Sequence, residues 1–181
     1  MTRLRVFSED NPREPLATHR DADAVAAGLA PIGVRFERWE TRPEIRAGDA
    51  PEQVLEAYRS EIDRLMAEGG YQSADVVSMH PDHPDKATMR TKFLDEHSHA
   101  EDEVRFFVDG AGLFTLHVED RVYEVRCERG DLIGVPSGTR HWFDMGANPS
   151  FVAVRIFTSP DGWAADFTGS DIAGRFPRLE D

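Results

Sequence analysis

The stretch "FLDEHSHAEDEVRFF" (residues 93–107) holds two histidines and five acidic residues in fifteen positions and closes on paired phenylalanines. Side chains of a β-strand alternate between faces with a period of two. His97 and His99 therefore share a face. Glu103 has the same parity and joins them if the strand continues past a bend. A second stretch, "GDLIGVPSGTRHWF" (130–143), supplies a partner. There a strand feeds a tight turn from Pro136 to Gly138, and His141 opens the next strand. Such a turn can bring His141 back over the first pair. Three neutral imidazoles and one carboxylate suit iron, nickel, copper, manganese or zinc. A six-coordinate ion held this way keeps two positions for a chelating substrate, or for substrate plus dioxygen.

A lone histidine in a strand is more often a structural hydrogen-bonding residue. The two stretches point to a metal because they match as a set. His80 and His83 sit in a loop rich in proline and aspartate, and His19 in a charged segment, so all three are expected at the surface. His117 lies opposite the apolar face of Phe114, Leu116 and Val118, which favours the surface or a structural hydrogen bond over ligation. Arg105 and Arg155 each interrupt an apolar strand, "EVRFF" and "AVRIF". Arg105 shares the parity of Glu103 and should face the same interior. A buried arginine needs an anion. Beside a metal, it can clamp an anionic substrate; a partly exposed strand arginine is the plainer alternative.

Further apolar runs surround these stretches. "ADVVSMH" (74–80) reads as a strand. "EVRFFV" (103–108), "LFTLHV" (113–118), "VYEVRC" (122–127), "LIGVP" (132–136), "RHWFDM" (140–145) and "FVAVRIF" (151–157) follow, separated by turn signals. Short strands at such regular intervals indicate an antiparallel sandwich or barrel. Upstream, "DADAVAAGLAPIG" (21–33) reads as a short helix and "VRFERWE" (34–40) as a strand. "APEQVLEAYRSEIDRLMAEGG" (50–70) is the clearest helix, with Pro51 in its first turn and Gly69–Gly70 at its end. Its stripe of Val54, Leu55, Tyr58, Ile62, Leu65 and Met66 should pack on a sheet. The C-terminal "GWAADFTGSDIAGRFPRLED" has no clear period and reads as loop with one short helix. The expected organisation is a single domain over 1–181: segment 1–70 packs on a barrel at 71–160, and 161–181 forms a tail.

The 181 residues suffice for one domain with a substantial core. Acidic residues outnumber basic ones, 34 to 21, for a formal charge of -13. Such a surface repels phosphate backbones, so nucleic acid is not an expected partner. Cys127 is the only cysteine, which excludes an intrachain disulfide and suits a reducing compartment. The N-terminal residues lack the apolar run of a signal peptide, and no stretch is long enough for a membrane span. A cytoplasmic protein, monomeric because no long apolar surface is evident, is expected.

"HSHAEDE" (97–103) with Gly110, and "GDLIGVPSGTRH" (130–141), resemble the two motifs of the cupin superfamily. The resemblance implies a mainly β fold, a double-stranded β-helix or jelly-roll barrel with a few flanking helices. The asparagine usual four residues after the last histidine is replaced by Met145. From about Ile32 to Pro177 the chain is similar to the bacterial acireductone dioxygenases. "KFLDEHSHAEDEVRFFVDGAGLF" (92–114), "GDLIGVPSGTRHWFDMG" (130–146) and "GWAADFTGSDIAGRFP" (162–177) carry that likeness. It implies one Fe2+ or Ni2+ per chain, held by His97, His99, Glu103 and His141. It implies that Arg105, with Arg155 nearby, stabilises a doubly deprotonated substrate. Phe93, Phe143 and Trp163 would line a pocket for a methylthio side chain. Glu96 and Asp102 resemble positions tied to metal incorporation and local conformational change. The implied partners are acireductone and dioxygen, in methionine salvage. The iron form would give formate and 4-methylthio-2-oxobutanoate, and the nickel form formate, carbon monoxide and 3-methylthiopropanoate. The alternatives are another metal cupin, such as a dioxygenase on a different diol or a sugar-phosphate isomerase, and a non-catalytic binding cupin. An isomerase would need a phosphate clamp of several basic residues, whereas only Arg105 and Arg155 read as inward-facing.

Overall fold

The computed structural model describes residues 1–46, 48–159 and 164–179. The alternating runs form two antiparallel sheets that share one strand. That strand, β6 (Glu103–Val118), spans both "EVRFFV" and "LFTLHV", which the turn signal at Asp109–Gly110 separates in the sequence. The chain bends there without leaving the ladder. Gly110 has φ 75°, a left-handed conformation that glycine adopts at little cost. A Cβ at this position would lie 1.9 Å from the Ser150 carbonyl oxygen. Two residues earlier β6 itself carries an extra residue: Val152 faces Asp109 and Ala153 faces Phe107, so Val108 is skipped in the ladder with β10. A bulge of this kind bends a strand and increases its local twist.

The first sheet contains β1 (Arg3–Ser8), β2 (Ala17–His19), β5 (His97–Ser98), β7 (Arg121–Glu128), β9 (Arg140–Asp144) and β11 (Asp166–Phe167). Its order is β11-β5-β9-β6-β7-β1-β2. The second sheet joins β3 (Arg35–Arg38), β8 (Asp131–Val135), β10 (Phe151–Phe157) and β4 (Ser73–Met79) to the first half of β6. This is the mainly β barrel expected from the motifs. β1 and β3 are hydrogen-bonded members of the sheets, so residues before 70 build the barrel as well as cover it.

The bend also sorts the side chains. Before it, Val104, Phe106 and Val108 face outward into a cluster with Val54, Tyr58, Ile62 and Leu65. That cluster is the packing expected of the 50–70 helix. The helix itself divides into α2 (Pro51–Ala57) and α3 (Arg59–Gly69) at Tyr58. Tyr58 is anchored there: its hydroxyl accepts from the Arg42 amide at 2.8 Å, and its ring meets Phe106 edge-on at 5.0 Å. Between the sheets, Phe107, Phe114, Leu116, Phe143 and Phe151 form the barrel core. Each such fully buried side chain contributes about 1.5–3 kcal/mol. Beyond the bend the parity of the inward positions changes from odd to even, which turns His117 away from the core.

Two elements have weak sequence signals. α1 (Ala22–Leu29) is the expected short helix, capped by the Asp21 side chain. α4 (Lys86–Leu94), by contrast, lies in a stretch with no clear apolar stripe. It is tied to the barrel by Arg90, which makes two hydrogen bonds to buried Asp144 at 2.7 and 3.0 Å. The C-terminal segment adds the two residues of β11 and a 3-10 turn at Ile172–Gly174. Ile172, Ala173 and Phe176 cover Phe7, Val122 and Trp142 on the outer face of the first sheet.

Candidate metal centre

β5 and β9 pair so that His97 stands opposite His141. The first residue of β6 is Glu103, and His99 lies in the loop between β5 and β6. All four residues are buried. Suitable ligand atoms of His97, His99 and His141 lie within 4.8 Å of one another. Glu103 Oε2 is 3.2 Å from His99 Nε2 and 3.0 Å from His141 Nε2.

The outer nitrogens fix the tautomers. Nδ1 of His97, His99 and His141 lies 2.8 Å from the backbone oxygens of Asp95, Ala164 and Thr139 respectively. A carbonyl oxygen only accepts, so each Nδ1 carries the proton and each Nε2 turns a lone pair inward. Three lone pairs and a carboxylate then converge with no proton of their own to share. A positive charge at the centre, a proton or a metal ion, relieves that arrangement. Ligands at right angles, each about 2.1 Å from a common ion, stand about 3.0 Å apart, matching the spacing to Glu103. The donor set therefore fits a divalent transition ion.

The electrostatics agree. Burial, then the neighbouring His141, lowers the His97 pKa to about 4, keeping it neutral. Burial opposes charge on His99, but the hydrogen bonds to Glu103 and the Ala164 carbonyl and the Glu103 charge together outweigh it and raise that pKa. A proton and a metal ion compete for the same point. Burial disfavours the Glu103 carboxylate, yet Arg105 and the two histidines overcome it and hold its pKa well below the usual range.

Arg105 is 5% exposed and donates from Nη2 to Glu103 Oε1 at 2.8 Å. Its guanidinium carbon stands 4.7 Å from the Phe143 ring centroid and 5.1 Å from that of Phe114. This is the inward, ion-paired placement that its parity implies. Arg155 is its cross-strand partner on β10. Arg155 holds Asp75 through two bonds of 2.8 and 2.6 Å.

A cavity of about 650 Å³ opens over the cluster, with Phe93, Arg105, Phe143 and Arg155 in its wall. Trp163 lies outside the described residues. The sequence reading missed Asp75, Lys92, Phe157 and Phe167, which also line the cavity. Phe157 shares the parity of Arg155, a signal that could have found it. Phe167 reaches the site because β11 pairs with β5, placing its ring 5.6 Å from His97.

Glu96 and Asp102 are not among the described cavity-lining residues. Glu96 is buried and bonded to His117 Nδ1 at 2.6 Å and to the Thr168 hydroxyl at 2.6 Å. His117 is thus a structural hydrogen-bonding residue. Asp102 accepts from the Ser137 amide at 2.9 Å, bracing the turn before His141.

The barrel and its inward cluster of three histidines define a cupin with a candidate metal site at the base of an open cavity. The profile of the ARD/ARD' family matches residues 3–165. Acireductone dioxygenase of Pseudomonas paraeruginosa is 60% identical over 181 residues, covering all of both chains. That of Xanthomonas axonopodis pv. citri is 58% identical over 178 residues, 98% of this chain and 95% of that one. The solved structure of acireductone dioxygenase from Bacillus anthracis, with cadmium ion in the active centre, superposes with a TM-score of 0.80 at 31% identity. The match covers 92% of this chain and 98% of that one. The chain belongs to the ARD/ARD' family of acireductone dioxygenases.

Proposed function

We propose that this chain cleaves acireductone with dioxygen, using one Fe2+ or Ni2+ held by His97, His99, Glu103 and His141. The observation that carries the reading is the convergence of three buried histidines, each with Nδ1 against a backbone carbonyl, beside the buried Glu103–Arg105 pair. The full-length likeness to enzymes of that name supports the substrate.

When bound, the ion supplies a Lewis acid and a template for two substrate oxygens. The chain's own residues supply the rest. Arg105, itself buried, places a fixed positive charge next to the ligand set. There it lowers the cost of the doubly deprotonated ene-diol. The stack on Phe143 and Phe114 keeps the guanidinium from swinging away. Phe93 and Phe143 offer an apolar wall to the methylthio chain. Arg155, already balanced by Asp75, contributes charge at the opposite end of the Arg105 pair. His117 and Thr168 hold Glu96, the residue preceding His97, and Asp102 holds the turn that delivers His141. The reading extends to a cytoplasmic monomer in methionine salvage, with the whole chain as one catalytic unit.

The test begins with one batch of metal-free protein, reloaded anaerobically with iron or nickel. Each sample is mixed with acireductone and then exposed to air. Both should consume the ene-diolate absorbance far faster than the metal-free control. The iron sample should yield formate and 4-methylthio-2-oxobutanoate. The nickel sample should yield formate, carbon monoxide and 3-methylthiopropanoate. No acceleration over the control would overturn the function, and identical products would overturn control of the outcome by the ion.

A further inference from the structure

Lys86 and Lys92 are the only lysines of the chain. Lys86 Nζ donates to the Pro81 carbonyl oxygen at 2.5 Å. Lys92 differs. It is exposed in the last turn of α4, yet it lines the cavity over the histidines, which puts it at the mouth. Among the described residues its ammonium makes neither a hydrogen bond nor an ion pair, and its named contact is the adjacent Phe93 ring at 5.7 Å.

That is unusual in this molecule. With a formal charge of -13, carboxylates are plentiful, and Arg35, Arg42, Arg59, Arg90 and Arg121 each hold one. Inside the cavity Arg105 holds Glu103 and Arg155 holds Asp75. Those two pairs cancel, so Lys92 supplies the net charge of the cavity wall before any metal is added. An anionic substrate approaching this chain meets repulsion from most of the surface. A cation at the rim of a cleft with low-dielectric walls focuses the field and raises the rate of encounter.

We propose that Lys92 captures the anionic substrate at the cavity mouth and orients it for docking, with no part in the bond-breaking chemistry. The inference rests on the proposed reading of the substrate as an ene-diol anion. The plainer role, a cation at a helix C-terminus, stabilises α4 and gives no effect on substrate affinity.

Steady-state rates of the metal-loaded enzyme separate the two. Lys92→Met should raise KM about 3- to 10-fold at low salt, with kcat within about 2-fold, the scale of losing one steering charge. Its kcat/KM should fall less steeply with added salt than that of the unmodified enzyme. Lys92→Arg should restore KM, and Lys86→Met should leave both constants unchanged. A second arm reads occupancy without turnover. Acylation of the two lysines is followed by peptide mass, with and without acireductone under nitrogen. The substrate should slow acylation of Lys92 and not of Lys86. Protection of Lys92 in an enzyme that does not consume acireductone would overturn the proposed reaction and support Lys92 as a capture residue. Normal turnover with KM and salt dependence unaltered in Lys92→Met would overturn the capture role. So would a loss confined to kcat, or a loss matched by a lowered melting temperature and absent protection.

Discussion

Arg105 donates to Glu103 Oε1 at 2.8 Å, while Glu103 Oε2 faces His99 and His141. One buried carboxylate thus joins the guanidinium to the proposed metal ligands. Arg105→Ala should lower activity by about 10²-fold or more, the scale of losing one charge-stabilising donor. Metal content should change far less. Glu103 loses a hydrogen bond that orients it, but the site also loses a cation that repels the ion. Metal analysis and the anaerobic absorption spectrum check both points. A normal spectrum of the bound dianion in the variant would be the adverse result.

His99, in the loop between β5 and β6, is held by the distant Ala164 carbonyl, and its Nε2 meets Glu103 at 3.2 Å. His99→Ala should therefore lose metal and activity together, by at least about 10-fold in affinity. Elemental analysis after dialysis gives the answer; full occupancy would remove His99 from the ligand set.

The metal-free protein should show a pH dependence set by His97. Its pKa is about 4 in the folded chain, below the ordinary 6.5, because burial penalises the charged ring. Between these values the unfolded chain binds more protons than the folded one, so stability rises with pH. The stabilisation is fully present above about pH 6.5 and is lost as pH falls through about 4, by up to ~3 kcal/mol. Urea unfolding of metal-free protein at pH 5 and pH 7 measures it. Replacement of His97 by Ala should flatten the difference.

Gly110 lets β6 pass from one sheet to the other. Gly110→Ala would force a side chain at φ 75° and within 1.9 Å of the Ser150 carbonyl oxygen. The cost should be about 2 kcal/mol or more, read as a lower denaturation midpoint. An unchanged midpoint would mean that the bend has another origin.

The sequence determined the barrel and the four candidate ligands because both leave local signals. Period-two alternation assigns faces within each strand, but it does not carry from His97 to Glu103: β5 ends at Ser98, His99 lies in the loop, and Glu103 opens β6. The ligands are legible instead from two stretches that match as a set, with the Pro136–Gly138 turn delivering His141. Other features needed distant partners. α4 carries little apolar periodicity, and it is held by Arg90 reaching Asp144, 54 residues away. The join of two apparent strands into β6 depends on continuous pairing with β10, about 40 residues away, across a register shift that leaves Val108 as the extra residue. Phe167 and the Ala164 carbonyl enter the site only because a two-residue strand pairs with β5. Nothing in the sequence around Lys92 singles it out. Its place at the cavity mouth follows from how Arg90 and Asp144 dock the helix. Spacing along a strand fixes which residues can meet, but the long-range ion pairs and backbone ladders decide which of them do.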